Sequence, residues 1–401
     1  TKGWQQEGLA RFQVGEAFFR SSSQIGRDLG VLAAIAHKQT HHSLRVLDAM
    51  TGCGVRPLRY ALEAEADYVW ANEGNWDLHD LLHANLSRGL ECDRYQLTHQ
   101  DANSLFFDCH QRQDFYDLID IDSFGSSMPT LATSLWAVKL GGLLYLTSTD
   151  GRATSGHAPE KSLQTYSAYA RSHPAIHEQG LRLLIGLVMQ QAAARGLSAQ
   201  PVFSWYHGEV NRVMMRIGRT VKHTTHKNQT HKNKIKLNSN SYGFLSYCHS
   251  CGQFQTVTWK KLGRTQPCTC RADIPPVISG PMWLGPLHNS QDLANMQQIA
   301  VSLQKPDQAP DQTAHWKRAQ ALLNIMQAES SLPPYHYPLA EIGKRGKMDI
   351  PPRDILIQAL KQAGFLGTRT HLNTQAIKTT APLATCIELA RQVSHSRCSP
   401  E

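Results

Sequence analysis

Five short runs in the first half of the chain, residues 44–49, 67–71, 95–98, 116–122 and 143–148, are apolar on both faces. A strand that hides both faces must lie inside a covered sheet, and a parallel sheet is covered by its own crossover helices. Segments of helical length do separate the runs. Residues 56–65, for example, place Leu58, Ala61 and Leu62 on one face at helical spacing. A longer helix is expected from about Pro174 to Arg195, with Gly196 suited to its stop. Two strand-like runs follow, 202–207 and 212–217, and the short 208–211 stretch between them predicts an antiparallel hairpin at the sheet edge. The longest apolar stretches, 31–36 and 183–189, fall far short of the ~18 residues a membrane span requires.

A dinucleotide-type sheet goes on with parallel strands. A Rossmann-like sheet that finishes in an antiparallel hairpin is the pattern of S-adenosylmethionine (SAM)-dependent methyltransferases. The first run leads into a matching turn, Val46-Leu47-Asp48-Ala49-Met50-Thr51-Gly52-Cys53-Gly54-Val55-Arg56. This is a strand, a glycine turn and a helix start. Glycines let a backbone approach a ligand, and a helix N-terminus offers free N–H groups. Asp48 and Gly52 fall inside the turn. Glu73 stands 19 residues after Gly54, at the end of the next strand, where a carboxylate can accept both ribose hydroxyls of a nucleoside cofactor. Asp101 and Ala102 follow the third strand, where an adenine amino group could be received.

The fourth strand runs into Asp120-Ile121-Asp122-Ser123-Phe124-Gly125-Ser126. Open α/β sheets present their reacting groups at such strand ends. An exocyclic amine on a base is a poor nucleophile, because its lone pair is delocalised into the ring. A carboxylate that accepts its N–H raises electron density on nitrogen, and a stacked aromatic ring fixes the base in line with a methyl donor. Asp122 and Phe124 suit those two roles. The plainer reading is a helix N-cap followed by a core phenylalanine.

The remaining signals are cationic and thiol-rich. The formal net charge is +9, and residues 210–272 contain no Asp or Glu but twelve Lys and Arg, which favours phosphate contact. Four of the nine cysteines bunch as Cys248-x2-Cys251 and Cys268-x-Cys270, a set suited to a closed, structural zinc site, with His249 and His223 as substitute ligands. Such uneven cysteine usage reads as a reducing compartment. No signal-peptide pattern opens the chain, so the cytoplasm is expected, or a reducing organelle matrix if a leader preceded Thr1.

Together these residues resemble the tRNA (guanine-26-N2)-dimethyltransferase family along nearly the whole chain. Gly26-Arg27-Asp28-Leu29 is similar to the family's Asn-Arg-Asp segment, and residues 47–59 to its glycine motif with paired arginines. Residues 119–126 resemble the Asp-x-Asp-Pro-Phe-Gly-Ser-Pro signature. Thr147-Ser148-Thr149-Asp150, His177-Glu178-Gln179-Gly180-Leu181-Arg182, Gly280-Pro281-Met282-Trp283-Leu284-Gly285 and the stretch from Thr370-His371 to Lys378-Thr379 also fit. The resemblance implies that Arg27, Arg56, Glu73, Asp101 and Ala102 contact SAM, that Asp122 is the catalytic carboxylate, and that a C-terminal domain holds tRNA. Three departures stand out: Gly26 replaces the Asn, the second Pro is Met128 or absent, and Ser123 replaces the first Pro, which is expected to loosen the motif turn.

The expected architecture is a SAM-dependent catalytic domain over residues 1–218 and a smaller, basic, zinc-bearing α+β domain over 219–401 that recognises tRNA. No membrane and no obligate protein partner are expected. Two rival functions remain at this stage: methylation of another base amine in RNA or DNA, and a non-catalytic RNA-binding protein that kept the fold.

Overall fold

A computed structural model describes residues 3–220, 234–235, 239–264, 268, 270, 274–304 and 310–398. The chain opens with a small hairpin, β1 (Trp4–Glu7) and β2 (Ala10–Gln13), followed by α1 (Gln24–His41). The expected sheet then appears as β3 (Arg45–Asp48), β4 (Tyr68–Asn72), β5 (Tyr95–Thr98), β6 (Tyr116–Ile121) and β7 (Val138–Ser148), all parallel. Its crossovers carry α2 (Val55–Leu62), α3 (His79–Gly89), α4 (Ala102–Gln111) and α5 (Met128–Ser134). After β7 come α6 (Gly151–Thr154), α7 (Pro159–Tyr166) and the long α8 (Ile176–Ala194).

The hairpin is β8 (Leu197–His207) and β9 (Val210–Thr220), longer at both ends than its apolar runs suggested. β9 enters antiparallel between β7 and β8, and a two-residue strand, β10 (Lys234–Ile235), pairs with its far end. The strand order runs β5-β4-β3-β6-β7-β9, with β8 on the outside of β9. Strands are added outward from β3 on one side and from β6 on the other, so the connections diverge between these two parallel strands and a crevice opens there beyond their carboxyl ends. Alternation along each strand sends Val46, Leu118 and Leu143 into one core, and Leu47, Ile119 and Leu144 into the other.

The C-terminal part holds two three-stranded sheets. The first is β11 (Tyr242–Tyr247), β12 (Phe254–Thr258) and β13 (Val277–Trp283), and it packs on α8 through Tyr242 and Met282. The second is β14 (Tyr337–Pro338), β15 (Gly367–Arg369) and β16 (Ala376–Thr379), flanked by α11 (Leu339–Gly346), α12 (Arg353–Gln362) and α13 (Leu383–Cys398). Between them, α9 (Ser290–Ser302) and α10 (Pro310–Glu329) return to the catalytic sheet and pack on α1. Leu293, Met296, Trp316, Leu323 and Met326 share one apolar core with Leu29, Leu32 and Val46.

A buried ionic cluster ties α8 to the second sheet. Glu178 receives Arg182 Nη2 and Lys378 Nζ, each at 2.7 Å, and His336 at 3.3 Å. Arg182 also donates to the carbonyls of Trp283 and Gly285. Removing one partner from such a cluster leaves a buried charge unpaired, which costs about 3–5 kcal/mol.

Candidate active site

The crevice is a cavity of about 500 Å³ lined by Arg27, Gly52, Arg56, Glu73, Asp122 and Phe124, six of the residues singled out in the sequence. Gly54 caps α2 with φ +84°, a backbone conformation a side chain would strain, and a Cβ there would lie 3.2 Å from Leu82. The turn therefore needs glycine to lie flat beside the cavity. Glu73 closes it from the end of β4: one carboxylate oxygen accepts the Gly52 N–H at 2.9 Å, the other the Asn75 N–H at 3.0 Å. Arg27 donates to both oxygens of Glu7, at 2.7 and 2.6 Å.

Asp48 does not line the cavity. It is fully buried beneath the turn, where it accepts from the Thr51 hydroxyl at 2.8 Å. Burial, reinforced by the neighbouring Asp120, pushes its carboxyl above the usual range. Asp101 and Ala102 stand at the start of α4, outside the lining of the cavity, with Asp101 capping the helix at Ser104 N–H.

The acidic motif lies at the centre. Arg56 donates to Asp120 at 2.6 Å and also pairs with Asp122. The Tyr60 hydroxyl takes the other oxygen of Asp120 at 2.7 Å. From β9, Arg212 Nη2 lies 3.2 Å from Asp122 Oδ1, while its Nη1 donates to Thr147 Oγ1 at 2.8 Å. Burial raises the Asp122 carboxyl, but Arg212 and then Arg56 outweigh it and hold the group well below the usual carboxylate range. Burial drives Asp120 the other way, upwards.

Phe124 is 74 % exposed, which rules out the core-phenylalanine reading. Its ring meets Phe18 edge-on, with centroids 4.9 Å apart, and Phe18 is itself exposed at the cavity mouth. Ser123, in place of the family's Pro, makes a hydrogen-bonding contact in the turn. Its hydroxyl reaches the Thr147 carbonyl at 3.4 Å, and Gly125 and Thr149 exchange hydrogen bonds, 2.8 Å to the Thr149 hydroxyl and 2.7 Å back from its N–H.

Sequence reasoning missed Phe18, Thr147 as a contact, and Arg212 as a site residue. The acid-free 210–272 stretch places Arg212 among the twelve cations expected to contact phosphate. Register explains the omission: Thr147 pairs with Arg212 across β7 and β9, and β6 lies beside them. Arg216 is likewise paired, with Asp292 at 2.8 Å. Arg219, Lys260, Lys261 and Arg264 are exposed, and the other cations of the 210–272 stretch lie outside the residues whose side chains are described.

The four clustered cysteines come together. Their sulfur atoms lie within 4.8 Å of one another, with Cys248–Cys270 at 3.7 Å and Cys251–Cys268 at 3.2 Å. A tetrahedral zinc with Zn–S near 2.3 Å needs sulfurs about 3.8 Å apart, so the set is closely preformed for it. His223 lies outside the described residues. A second group, His288, Glu329 and His371, also converges. There the Ser204 N–H donates to His288 Nδ1, which places the ring proton on Nε2 facing Glu329. That is a hydrogen-bonded triad, since a metal would need the Nε2 lone pair.

A family model described as N2,N2-dimethylguanosine tRNA methyltransferase matches residues 6–391. Among the curated proteins, the tRNA (guanine(26)-N(2))-dimethyltransferase of Thermococcus kodakarensis is 27% identical, over 97% of this chain and 98% of that one. Its namesake in Schizosaccharomyces pombe is 29% identical, over 84% of this chain and 61% of that one. Among solved structures, Trm1 from Pyrococcus horikoshii in complex with S-adenosyl-L-methionine superposes with a TM-score of 0.78 at 26% identity, covering 96% of this chain and 99% of that one. With the motif residues gathered at one crevice and the match running nearly end to end, the chain belongs to the N2,N2-dimethylguanosine tRNA methyltransferase family.

Proposed function

We propose that Asp122, clamped by guanidinium groups and faced by exposed phenylalanine, receives the guanine N2 amine when this SAM-dependent enzyme methylates guanosine in tRNA, at the position its relatives are named for, 26. The observation that carries the reading is the pairing of an ionised, part-exposed carboxylate with two exposed aromatic rings at the mouth of a nucleoside-sized cavity. SAM would supply the electrophilic methyl group, its S–CH3 bond breaking as S-adenosylhomocysteine leaves. Asp122 accepts an N2–H bond and so raises the electron density on nitrogen. Phe124 and Phe18 offer ring faces and edges to an extruded base, which must leave its stack to enter. A methylated exocyclic ammonium is a far stronger acid than a carboxyl group. Even a strongly ionised Asp122 can therefore take the proton and pass it to water. Repeating the cycle on the remaining N–H gives dimethylguanosine. Mass spectrometry of nucleosides from tRNA incubated with protein and SAM tests the whole reading. Absence of methylated guanosine, or methylation of another base, overturns it.

The chemistry of the cavity suits SAM: a glycine turn, the start of α2, and the Glu73 carboxylate, which is assigned to the ribose. Arg27, Gly52 and Arg56 complete its wall, with Asp48 supporting the turn from below. Asp101 and Ala102, at the end of β5, are the residues assigned to the adenine end. Glu73→Ala is expected to weaken SAM at least ~10-fold, through loss of charge-assisted hydrogen bonds. Calorimetric titration that finds unchanged SAM affinity removes Glu73 from the site.

The division of labour assigned here is catalysis by residues 1–218 and tRNA recognition by 219–401, with zinc at Cys248, Cys251, Cys268 and Cys270. A groove of about 760 Å³ between β12 and residues 330–335 carries Lys261 and Arg264. Phosphate contacts release counterions, so binding should weaken steeply with salt. Neutralising Lys232, Lys234 and Lys236 together should weaken all tRNAs alike and flatten the salt slope by about three units at most. Affinities at several salt concentrations that match the parent's would assign that segment no phosphate contact. No helix among the described residues is long and apolar enough to cross a membrane.

A further inference from the structure

We propose that Arg212 is a positioning residue for methyl transfer: it locks the Asp122 carboxylate in the orientation that receives the guanine N2–H. The proposal rests on the reading of Asp122 given above. Each Asp122 oxygen has its own guanidinium, Oδ2 on Arg56 and Oδ1 on Arg212. One guanidinium alone would leave the carboxylate free to swivel about it. Two, arriving from α2 and β9, fix its plane and leave the remaining lone pairs towards the cavity, where the side chain is 29 % exposed.

Arg56 cannot do this unaided, because Asp120 shares it at 2.6 Å. Among the described residues, Asp122 is the one carboxylate within ion-pair distance of Arg212. Arg212 is itself held: Thr147 Oγ1 accepts from Nη1 at 2.8 Å, and the Tyr145 ring lies 5.9 Å from the guanidinium carbon. Tyr145 is in turn pinned by its hydroxyl to the Gly26 carbonyl at 2.7 Å. Gly26 also explains one departure from the family's pattern. A Cβ there would stand 3.0 Å from Arg212 Cδ and 2.9 Å from the Trp205 ring. Glycine makes the room this arginine occupies.

The charge count points the same way. Asp48, Asp120 and Asp122 face one another from β3 and β6. Arg56 faces them from α2 and Arg212 from β9, with Tyr60 and Tyr145 as neutral neighbours; Arg27, from α1, is committed to Glu7. Without Arg212, Asp120 and Asp122 would share one cation, Arg56, and Asp122 would gain a proton more readily.

Arg212→Gln keeps a hydrogen-bonding group and removes the charge. Its kcat at neutral pH is expected to fall about 100-fold, within the range a positioned acceptor supplies. The sign follows from the clamp. Arg212 depresses the Asp122 pKa, so losing it raises that pKa, and the acid limb of the variant's activity should move to higher pH than the parent's. KM for SAM should stay within about twofold, because a group acting only through Asp122 adds no uniform binding. Arg212→Lys should keep the parent's acid limb yet lose about tenfold in kcat, since an ammonium cannot serve Thr147 and Asp122 with a planar fork. Thr147→Val, which removes both the acceptor of Arg212 Nη1 and a hydroxyl hydrogen-bonded to Asp122 itself, should shift the acid limb in the same direction but less than Arg212→Gln does, and Arg212→Met provides the readout if Arg212→Gln does not fold. An unchanged pH profile in the glutamine or methionine variant, or a loss confined to KM, overturns the proposal. Asp122→Asn distinguishes the two layers: if it stays active, the reading of Asp122 fails first.

Discussion

Asp122→Asn should reduce methyl transfer to tRNA by about 10³-fold while SAM affinity stays within a few fold, because the amide replaces an anionic acceptor with a weaker neutral one. The substitution is nearly isosteric, but its amide NH2 can only donate, so one of the two guanidinium contacts is lost and the other loses its charge pairing. Two guanidinium groups would then face each other across a neutral side chain, which also lowers stability. A melting curve separates that effect from chemistry. Single-turnover rates with prebound SAM and saturating tRNA measure the chemical step directly. A rate within tenfold of the parent would mean that Asp122 only organises the arginines, and that another group receives the amine.

The second large effect concerns the cysteines. Structural zinc contributes about 10–16 kcal/mol in zinc-finger peptides. Even a third of that is comparable to the ~5–15 kcal/mol that separates a folded domain from its unfolded chain. Cys251→Ser should therefore lose the metal, melt the β11–β13 module early and abolish tight tRNA binding. SAM binding should survive longer, since none of the cavity-lining residues comes from that module. Elemental analysis of protein purified without chelator should find close to one equivalent of zinc; less than about a tenth would remove the site.

Much of the fold was legible because parallel strands advertise themselves. The 44–49 and 116–122 runs had to be covered on both faces, and they became β3 and β6 almost residue for residue. β7 begins at Val138, before its apolar run, because Val138 pairs with Tyr116 while Lys139 reaches out to Asp117. No periodicity could show that. The catalytic motif was legible through its composition, as was Glu73 through its distance from the glycine turn. Arg212 was not, because its meaning depends on the register of two strands separated by α8. Phe18 was hidden for a similar reason: an aromatic residue in a loop carries no signal until the chain brings it against Phe124. Asp48 was half legible. Its place at the strand end was right, but pointing into the core it supports the turn from beneath.

The return of α9 and α10 onto α1 makes the molecule indivisible in practice. A fragment ending near residue 220 would keep every cavity-lining residue, since the lining ends at Arg212. It would nevertheless uncover the face of α1 that Leu293, Met296, Trp316 and Leu323 now shield. Such an apolar scar invites self-association. It would also strand Glu178 without Lys378 and His336. The catalytic half cannot be borrowed as a free-standing methyltransferase cassette, and grafting it onto another RNA-binding partner would require carrying along those two helices and the second three-stranded sheet.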